Sequence, residues 1–350
     1  MNPIPWPQPE DVNAICDLLC RPAPPVVASE TLKSCAGMRA LLLALGEPAP
    51  DRTLRAELEQ AVAAWRQARG GLLQFHDPLY PPSLLEIAHP PVALFVRGDV
   101  STLRRPAIAI VGARAASVAA CTWTRHVAAD LARCGVMVWS GLARGIDAAA
   151  HRGALDAGEA TGAVLGCGPD IVYPPEHAAL AAEIEARGVI VSEFPPGTPP
   201  RPWHFPQRNR ILAGLAAGVV VVQAEMKSGA LVTARHAIDE NREVMAVPGD
   251  VDDPRSRGPH RLLRDGAALV ESASDVLAAL RWDEANAANG IGGEHARVLA
   301  LLPLGLDVLR ARLGWTVPQL QRVLAELDLA GAVRRDARGR VARTAVRAPW

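Results

Sequence analysis

Three arginines, one histidine and two aromatic rings fall within residues 201–210, RPWHFPQRNR, with no acid among them. Guanidinium groups match phosphate oxygens with a planar fork of donors. Rings beside cations are the equipment for stacking nucleobases. Pro206 opens an apolar-periodic segment through Ile211, Leu212 and Leu215, as proline does in the first turn of a helix. A helix N-terminus favours anions by itself. The chemistry offered by this stretch is phosphate binding by Arg208 and Arg210, with Phe205 against a base. Arg208 and Arg210 are two residues apart and cannot share one face of a helix. One is expected to serve the ligand while the other braces an acid inside the fold. By composition alone, a solvated loop with a packed Trp203 is the competing reading.

Three further turns have the same character. GARAAS (112–117) follows an apolar run and opens a helical stretch, placing Gly112, Arg114 and Ser117 where a phosphate would meet helix N–H groups. It is not GxGxxG, and no acid follows at the distance a ribose requires, so a nicotinamide cofactor is not expected. SGLARGIDAAAH (140–151) brings Ser140, Gly141 and Arg144 into a second such turn, and puts Asp147 and His151 at i and i+4 on one helix face. That pair suits a structural Asp–His hydrogen bond better than acid–base catalysis, because no nucleophile completes a triad. MKSGALVTARHA (226–237) supplies Lys227, Ser228 and Gly229 ahead of a third helix. No GxxxxGK[ST] occurs, which argues against a nucleotide-hydrolysing loop.

The elements that must position these turns are legible as short apolar runs: AIAIVG (107–112), VMVWSG (136–141), TGAVLG (161–166), GVIVSE (188–193), GVVVVQA (218–224) and EVMAVPG (243–249). Ala/Leu-rich stretches of helical length separate most of them. Continuous apolar strands alternating with helices mean a parallel sheet covered on both faces. The expected core is a doubly wound α/β domain over 105–280, and in such sheets ligands bind beyond the carboxyl ends of the strands. The four turns should then share one rim.

Before the core, residues 1–70 carry helical spacing at Asp11–Cys20, Thr31–Leu45 and Arg52–Arg69, a small helical domain. Residues 71–104, with prolines at 81, 82, 90 and 91, are expected to be a connector packed on the core. Residues 281–293, which include DEANAANGIGG, have the composition of a linker. Over 294–350 the pattern gives helices at 294–302 and 306–313, a third from Thr316 to Leu329 with a Thr316–Gln319 capping box, and two β runs around Arg338-Gly339-Arg340. That is a winged helix, carrying ten arginines against five acids.

Composition bounds the rest. With 350 residues and 37 basic groups balanced by 37 acidic ones, a nucleic-acid partner requires a local basic site. The six cysteines form no CxxC pair, so reduced thiols and no metal centre are expected. The first residues, MNPIPWPQPE, lack the features of a signal peptide, and no apolar run reaches the length of a membrane span. A cytoplasmic location is expected.

In order and at plausible spacing, IVGARAAS, SGLARGIDAAAH, AVLGCGPDIVYPPEH, SEFPPG, FPQRNRILAGL, SGALVTA and AVPG resemble the DNA-processing protein A family, DprA or Smf, from about Tyr80 to Val270. The resemblance implies a Rossmann-like core that binds single-stranded DNA, dimerises, and helps load the recombinase RecA onto incoming DNA during natural transformation. It implies no cofactor and no catalysis. By motif match it places DNA contacts at Arg114, Ser140, Gly141, Phe205, Arg208, Asn209 and Arg210. Two positions depart from the family pattern: Gln223 stands for Glu, and His260 for Asn. A related sheet occurs in phosphoribohydrolases that cleave nucleoside monophosphates, but those carry PGGxGT with helix glutamates where this chain has SGALVTA. A transcription factor led by the winged helix is a third reading. It is weakened by Glu326 and Asp328 on the recognition helix, beside only Gln319, Gln321 and Arg322 as donors.

Overall fold

The computed structural model describes residues 6–20, 27–45, 52–282, 298, 306–313, 315–329, 333–335 and 341–343. The chain divides into two units, 1–281 and 282–350.

The first unit is built on one nine-stranded sheet. All six apolar runs form strands: β3 (Ala107–Val111), β4 (Met137–Ser140), β5 (Thr161–Val164), β6 (Val189–Ser192), β7 (Gly218–Val221) and β8 (Glu243–Ala246). They are parallel to one another, because a helix returns the chain after each strand. Nearly every residue in them is buried, as a sheet covered on both faces requires. With β1 (Gly71–Gln74), β2 (Ala93–Gly98) and β9 (Ala268–Leu269), the order is β1-β2-β6-β5-β4-β3-β7-β8-β9. From β3 the sheet grows outward through β4, β5 and β6. The chain then crosses back to lay β7 on the other side of β3. That reversal, between β3 and β7, is the topological switch point where such sheets hold ligands.

The returning crossover is the Arg-rich stretch. It forms helix α9 (His204–Leu215), which packs across β3, β4 and β5 through the buried Ile211, Leu212 and Leu215. Its N-terminus therefore arrives over the carboxyl ends of those strands. The other helices of the rim are α6 (Val118–Arg133), α7 (Ile146–Asp156) and α10 (Gly229–Asp239), which follow β3, β4 and β7.

Two regions differ from the sequence expectation. Residues 71–104, expected as a connector, contribute β1, the short helix α5 (Pro82–Leu85) and β2; the two strands form an antiparallel hairpin whose second strand pairs antiparallel with β6. The N-terminal helices, α1 (Pro9–Leu19), α2 (Ser29–Ser34), α3 (Met38–Leu45) and α4 (Arg52–Gln67), share a hydrophobic core with the sheet. Ile15, Leu41 and Val62 belong to the same buried cluster as Phe95 and Val219. Expected as one helix, Thr31–Leu45 is interrupted between Ser34 and Met38.

The second unit contains helices at Leu306–Leu313 and Val317–Leu329, followed by the antiparallel pair Val333–Arg335 and Val341–Arg343. Leu309, Leu320, Val323, Leu327, Val333 and Val341 form its core. The helices and paired strands are those of a winged helix. The helix expected over 294–302, residues 283–293 of the linker, the 338–340 turn and the side chain of Gln319 lie outside the described residues, Val298 excepted.

Candidate functional site

The rim turns come together because two glycines leave room for close approach. Gly145 adopts φ +72°, and a Cβ there would collide with the Ala113 carbonyl of the β3–α6 loop. At Gly112 a Cβ would lie 2.5 Å from Ile146 Cγ1, at the start of α7. Only residues without a side chain allow this approach. The result is a cavity of about 370 Å³ at the switch point. Its walls are Gly112–Ala115 from the first turn, Ala143 and Asp147 from the second, Phe205, Arg208, Asn209 and Leu212 from α9, Glu225 and Lys227–Ala230 from the third, and Arg255.

Arg208 is the buried centre of this arrangement, with 5% of its surface exposed. Its Nε donates to Asn209 Oδ1, and its Nη1 donates to the carbonyls of Gly141 and Val164, at the ends of β4 and β5. These bonds leave Nη2 without an acceptor among the described residues. Asn209 in turn donates through Nδ2 to the Gly229 carbonyl, tying α9 to the first turn of α10. Asp147 accepts from the N–H groups of Gly141 and Ala143, and its charge faces Arg208. Burial pushes the Asp147 carboxyl up, while Arg208 and the two N–H bonds pull the other way. Arg208 is pulled below its ordinary value by the same burial, though a guanidinium stays protonated in proteins.

The expected Asp147–His151 hydrogen bond is replaced by two separate anchors. His151 Nδ1 lies 2.9 Å from Thr161 Oγ1, whose single proton goes to the Val138 carbonyl, so the ring donates from Nδ1. Its Nε2 is buried with no partner among the described residues, and burial drives the imidazole down to about 3. A neutral, enclosed ring of this kind holds α7 against β5 and is badly placed to move protons at neutral pH.

Of the residues singled out in the sequence, Gly112, Arg114, Phe205, Arg208, Asn209, Lys227, Ser228 and Gly229 line the cavity. Gly141 and Arg144 line an adjoining notch with Arg114, Tyr173, Pro174, Phe205 and Arg208. Ser228 caps α10 by accepting from Ala230 N–H, and the fully open Gly229 begins the helix. Arg144 is exposed and ion-paired with Glu176. Arg114 lies over the Phe205 ring, 5.2 Å from its centroid.

The remaining three are directed elsewhere. Ser117 spends its hydroxyl as the cap of α6 and its N–H on Gln223 Oε1. Ser140 is fully buried and donates to the Ile110 carbonyl. Arg210 leaves the opposite side of α9 to pair with Glu193, and lines a second cavity with Leu18, Val27 and Phe194.

Arg255 was missing from the sequence reading. It reaches the cavity from the loop after β8, donates to the Ala115 carbonyl at 3.0 Å, and is paired with Asp253, whose carboxyl it holds below the usual range. The only local hint was the turn sequence Asp253-Pro254-Arg255. Gln223 completes this network. It accepts from Ser117 N–H and donates to Asp253 Oδ2 at 3.2 Å, a bond that an ionised glutamate could not make. His260 lies against the backbone of Gly249, 3.1 Å from its carbonyl oxygen.

Comparison with known proteins identifies the family. Residues 71–281 match the family model for DNA recombination-mediator protein A, and residues 283–337 match the DprA winged helix domain. Protein Smf of Escherichia coli K12 is 40% identical over 293 residues, which is 79% of this chain and 78% of that protein. The DNA processing protein DprA of Streptococcus pneumoniae is 45% identical over 202 residues, 58% of this chain and 71% of the relative. The solved structure of DNA processing protein A from S. pneumoniae aligns with a TM-score of 0.60 at 35% identity, covering 73% of this chain and 87% of that one. That of Helicobacter pylori DNA processing protein A, described for its single-stranded DNA binding mode, aligns with a TM-score of 0.56 at 28% identity, covering 61% and 96%. With the family model spanning most of the first unit, the chain belongs to the DNA recombination-mediator protein A family.

Proposed function

We propose that the protein binds single-stranded DNA at the switch-point cavity, protects incoming DNA, and passes it to a RecA-type recombinase during natural transformation. It does so as a cytoplasmic homodimer and without catalysis. The observation that carries this reading is the charge of the cavity wall. Arg114, Arg208, Lys227 and Arg255 converge there with the N-terminus of α10, against Asp147, Glu225 and the Asp253 that pairs with Arg255. Phosphates would meet Arg114, Lys227, the Nη2 of Arg208 and the first N–H groups of α10. Phe205, already paired with Arg114, forms the aromatic floor. Binding is favoured over a phosphoribohydrolase activity because Asp147 is spent on loop N–H groups and His151 is enclosed. Among the described residues, no helix is long and apolar enough to cross a membrane.

Fluorescence anisotropy with a labelled single strand and its duplex, at equal salt and without nucleotide, tests the reading. Tighter binding of the single strand is expected. Tighter binding of the duplex, or a requirement for ATP, overturns it.

A further inference from the structure

The turn that carries Arg114 has few side chains with which to hold its own shape. Around Arg114 stand Gly112, Ala113, Ala115 and Ala116, none of which has a polar side chain. The bonds that fix its backbone come from other parts of the chain. Ile146 N–H donates to the Ala113 carbonyl at 3.3 Å, Arg255 Nη1 donates to the Ala115 carbonyl at 3.0 Å, and Ser117 N–H donates to Gln223 Oε1 at 2.9 Å. The last two arrive through one unit. Gln223 Nε2 donates to Asp253 Oδ2 at 3.2 Å, and Arg255 forks the same carboxylate, with Nε and Nη2 each 2.9 Å from one of its oxygens. The unit is anchored in turn. Ala224 N–H donates to the Arg255 carbonyl at 2.7 Å, and Gly258 N–H donates to the Ala224 carbonyl at 2.9 Å, which pins the loop to the segment after β7.

The two bonds of Gln223 ask for opposite things at one end of a side chain. Ser117 N–H needs an acceptor. The Asp253 carboxyl, held below the usual range by Arg255, needs a donor. A primary amide supplies both, and its partners decide which end is oxygen and which nitrogen. An ionised carboxylate supplies acceptors only, and an alkyl chain supplies neither. Gln223 is 9% exposed and does not line the cavity, so it reaches a ligand only through its neighbours.

We propose that Gln223 is a positioning residue for Arg114, its amide locking the turn of Arg114 to the loop of Asp253 and Arg255 so that the guanidinium is already in place when a phosphate arrives. Ordering a loop at the moment of binding subtracts from affinity, and a clasp made beforehand avoids that cost. This inference rests on the single-strand reading above and adds to it the residue that prearranges one of its cations.

A carboxyl in place of the amide would make the clasp sensitive to pH. It would face Asp253 and Arg255 from the loop after β8 and Ser117 N–H from the first turn, with Arg114 on that turn and Glu225 on its own segment. Protonated, it donates to Asp253 and accepts from Ser117 as the amide does. Ionised, it repels Asp253. Burial and Asp253 push its titration up, and the arginines pull it down.

The test uses the full chain and a mixed-sequence single strand, followed by anisotropy at several salt concentrations, with urea denaturation to show that each variant is folded. Gln223→Leu should weaken binding roughly two- to tenfold, the net worth of one hydrogen bond. It should also flatten the slope of log K against log salt by about 0.7, as the Arg114 contact is lost. In an Arg114→Ala background the same substitution should cost nothing further. Gln223→Glu should bind like wild type at about pH 5 and fall behind it by about pH 8, each affinity taken as a ratio to wild type at that pH. An equal loss from Gln223→Leu with and without Arg114 overturns the proposal, because a residue that only holds the fold acts in both backgrounds. So does wild-type binding by Gln223→Leu, or a Gln223→Glu ratio that does not fall as the pH rises. If Gln223→Leu does not fold, the Gln223→Glu profile decides. Arg114→Ala is measured first: if it binds like wild type, the underlying reading of the cavity is overturned, and this inference with it.

Discussion

Helix α9 separates two cavities, and each receives one of its arginines. On the rim side Arg208 enters a cavity of about 370 Å³ in which cations outnumber their acidic partners. On the other side Arg210 enters one of about 230 Å³, where it meets Glu193 among Leu18, Val27, Val92 and Phe194. The two residues are identical in type and two positions apart. Their surroundings decide their roles: paired with an acid in an apolar setting, a guanidinium braces the fold, whereas surplus positive charge beside a helix N-terminus marks a place for an anion. Counting arginines in the sequence could not separate the two.

The largest effect is expected for Arg208→Ala. It removes the donor to two buried strand-end carbonyls and to Asn209 Oδ1, and each acceptor left unsatisfied costs about 1–3 kcal/mol. Urea denaturation should show that loss, and anisotropy should show single-strand binding falling with it. A variant of wild-type stability would mean the burial of Arg208 is unimportant. Arg210→Ala should cost less, about 1–3 kcal/mol, as expected when one partly buried polar partner is left unsatisfied. Its binding, measured on protein that remains folded, should keep the wild-type dependence on salt. A flattened salt slope in Arg210→Ala would break the comparison by placing both arginines on DNA. Lys227→Ala should have the smallest effect. Lys227 is exposed on the cavity wall, so its removal should leave the melting temperature alone. It should flatten the slope of log K against log salt by about 0.7, the value for one phosphate contact on a single strand.

Much of the scaffold could be read from the chain. The six parallel strands announce themselves as unbroken Val, Ile and Ala runs, because a strand buried on both faces has no polar alternation to confuse it. Residues 71–74 gave no such signal. GLLQ is four residues long, and its strand character comes from pairing with 93–96, which follow Pro90 and Pro91. The place of the cavity was legible because the strand ends carry small and polar residues. The allocation of its hydrogen bonds was not. Ser140 and Ser117 look available in the sequence, but one hydroxyl satisfies Ile110 and the other caps a helix. Arg255 is brought in by a loop 140 residues from its partner Ala115, a distance no local pattern spans. Gln223 shows the converse: a departure from the family pattern that makes sense once Asp253 is seen beside it.

The antiparallel pairing of β2 with β6 has a consequence for how the chain is made. Phe95 faces Ser192 in that ladder, so β2 leaves the ribosome nearly a hundred residues before its partner exists. Until then the hairpin of β1 and β2 presents an open edge, and an unpaired apolar strand is a template for association with other chains. The later segment is exposed in turn if the hairpin is removed. A product beginning after residue 98 would still contain every rim residue. It would also bare the full length of β6, whose sequence VIVS carries no charge to discourage pairing with a second molecule. The hairpin therefore acts as a built-in cover, and shortening the chain to its parallel-sheet core should trade solubility for size.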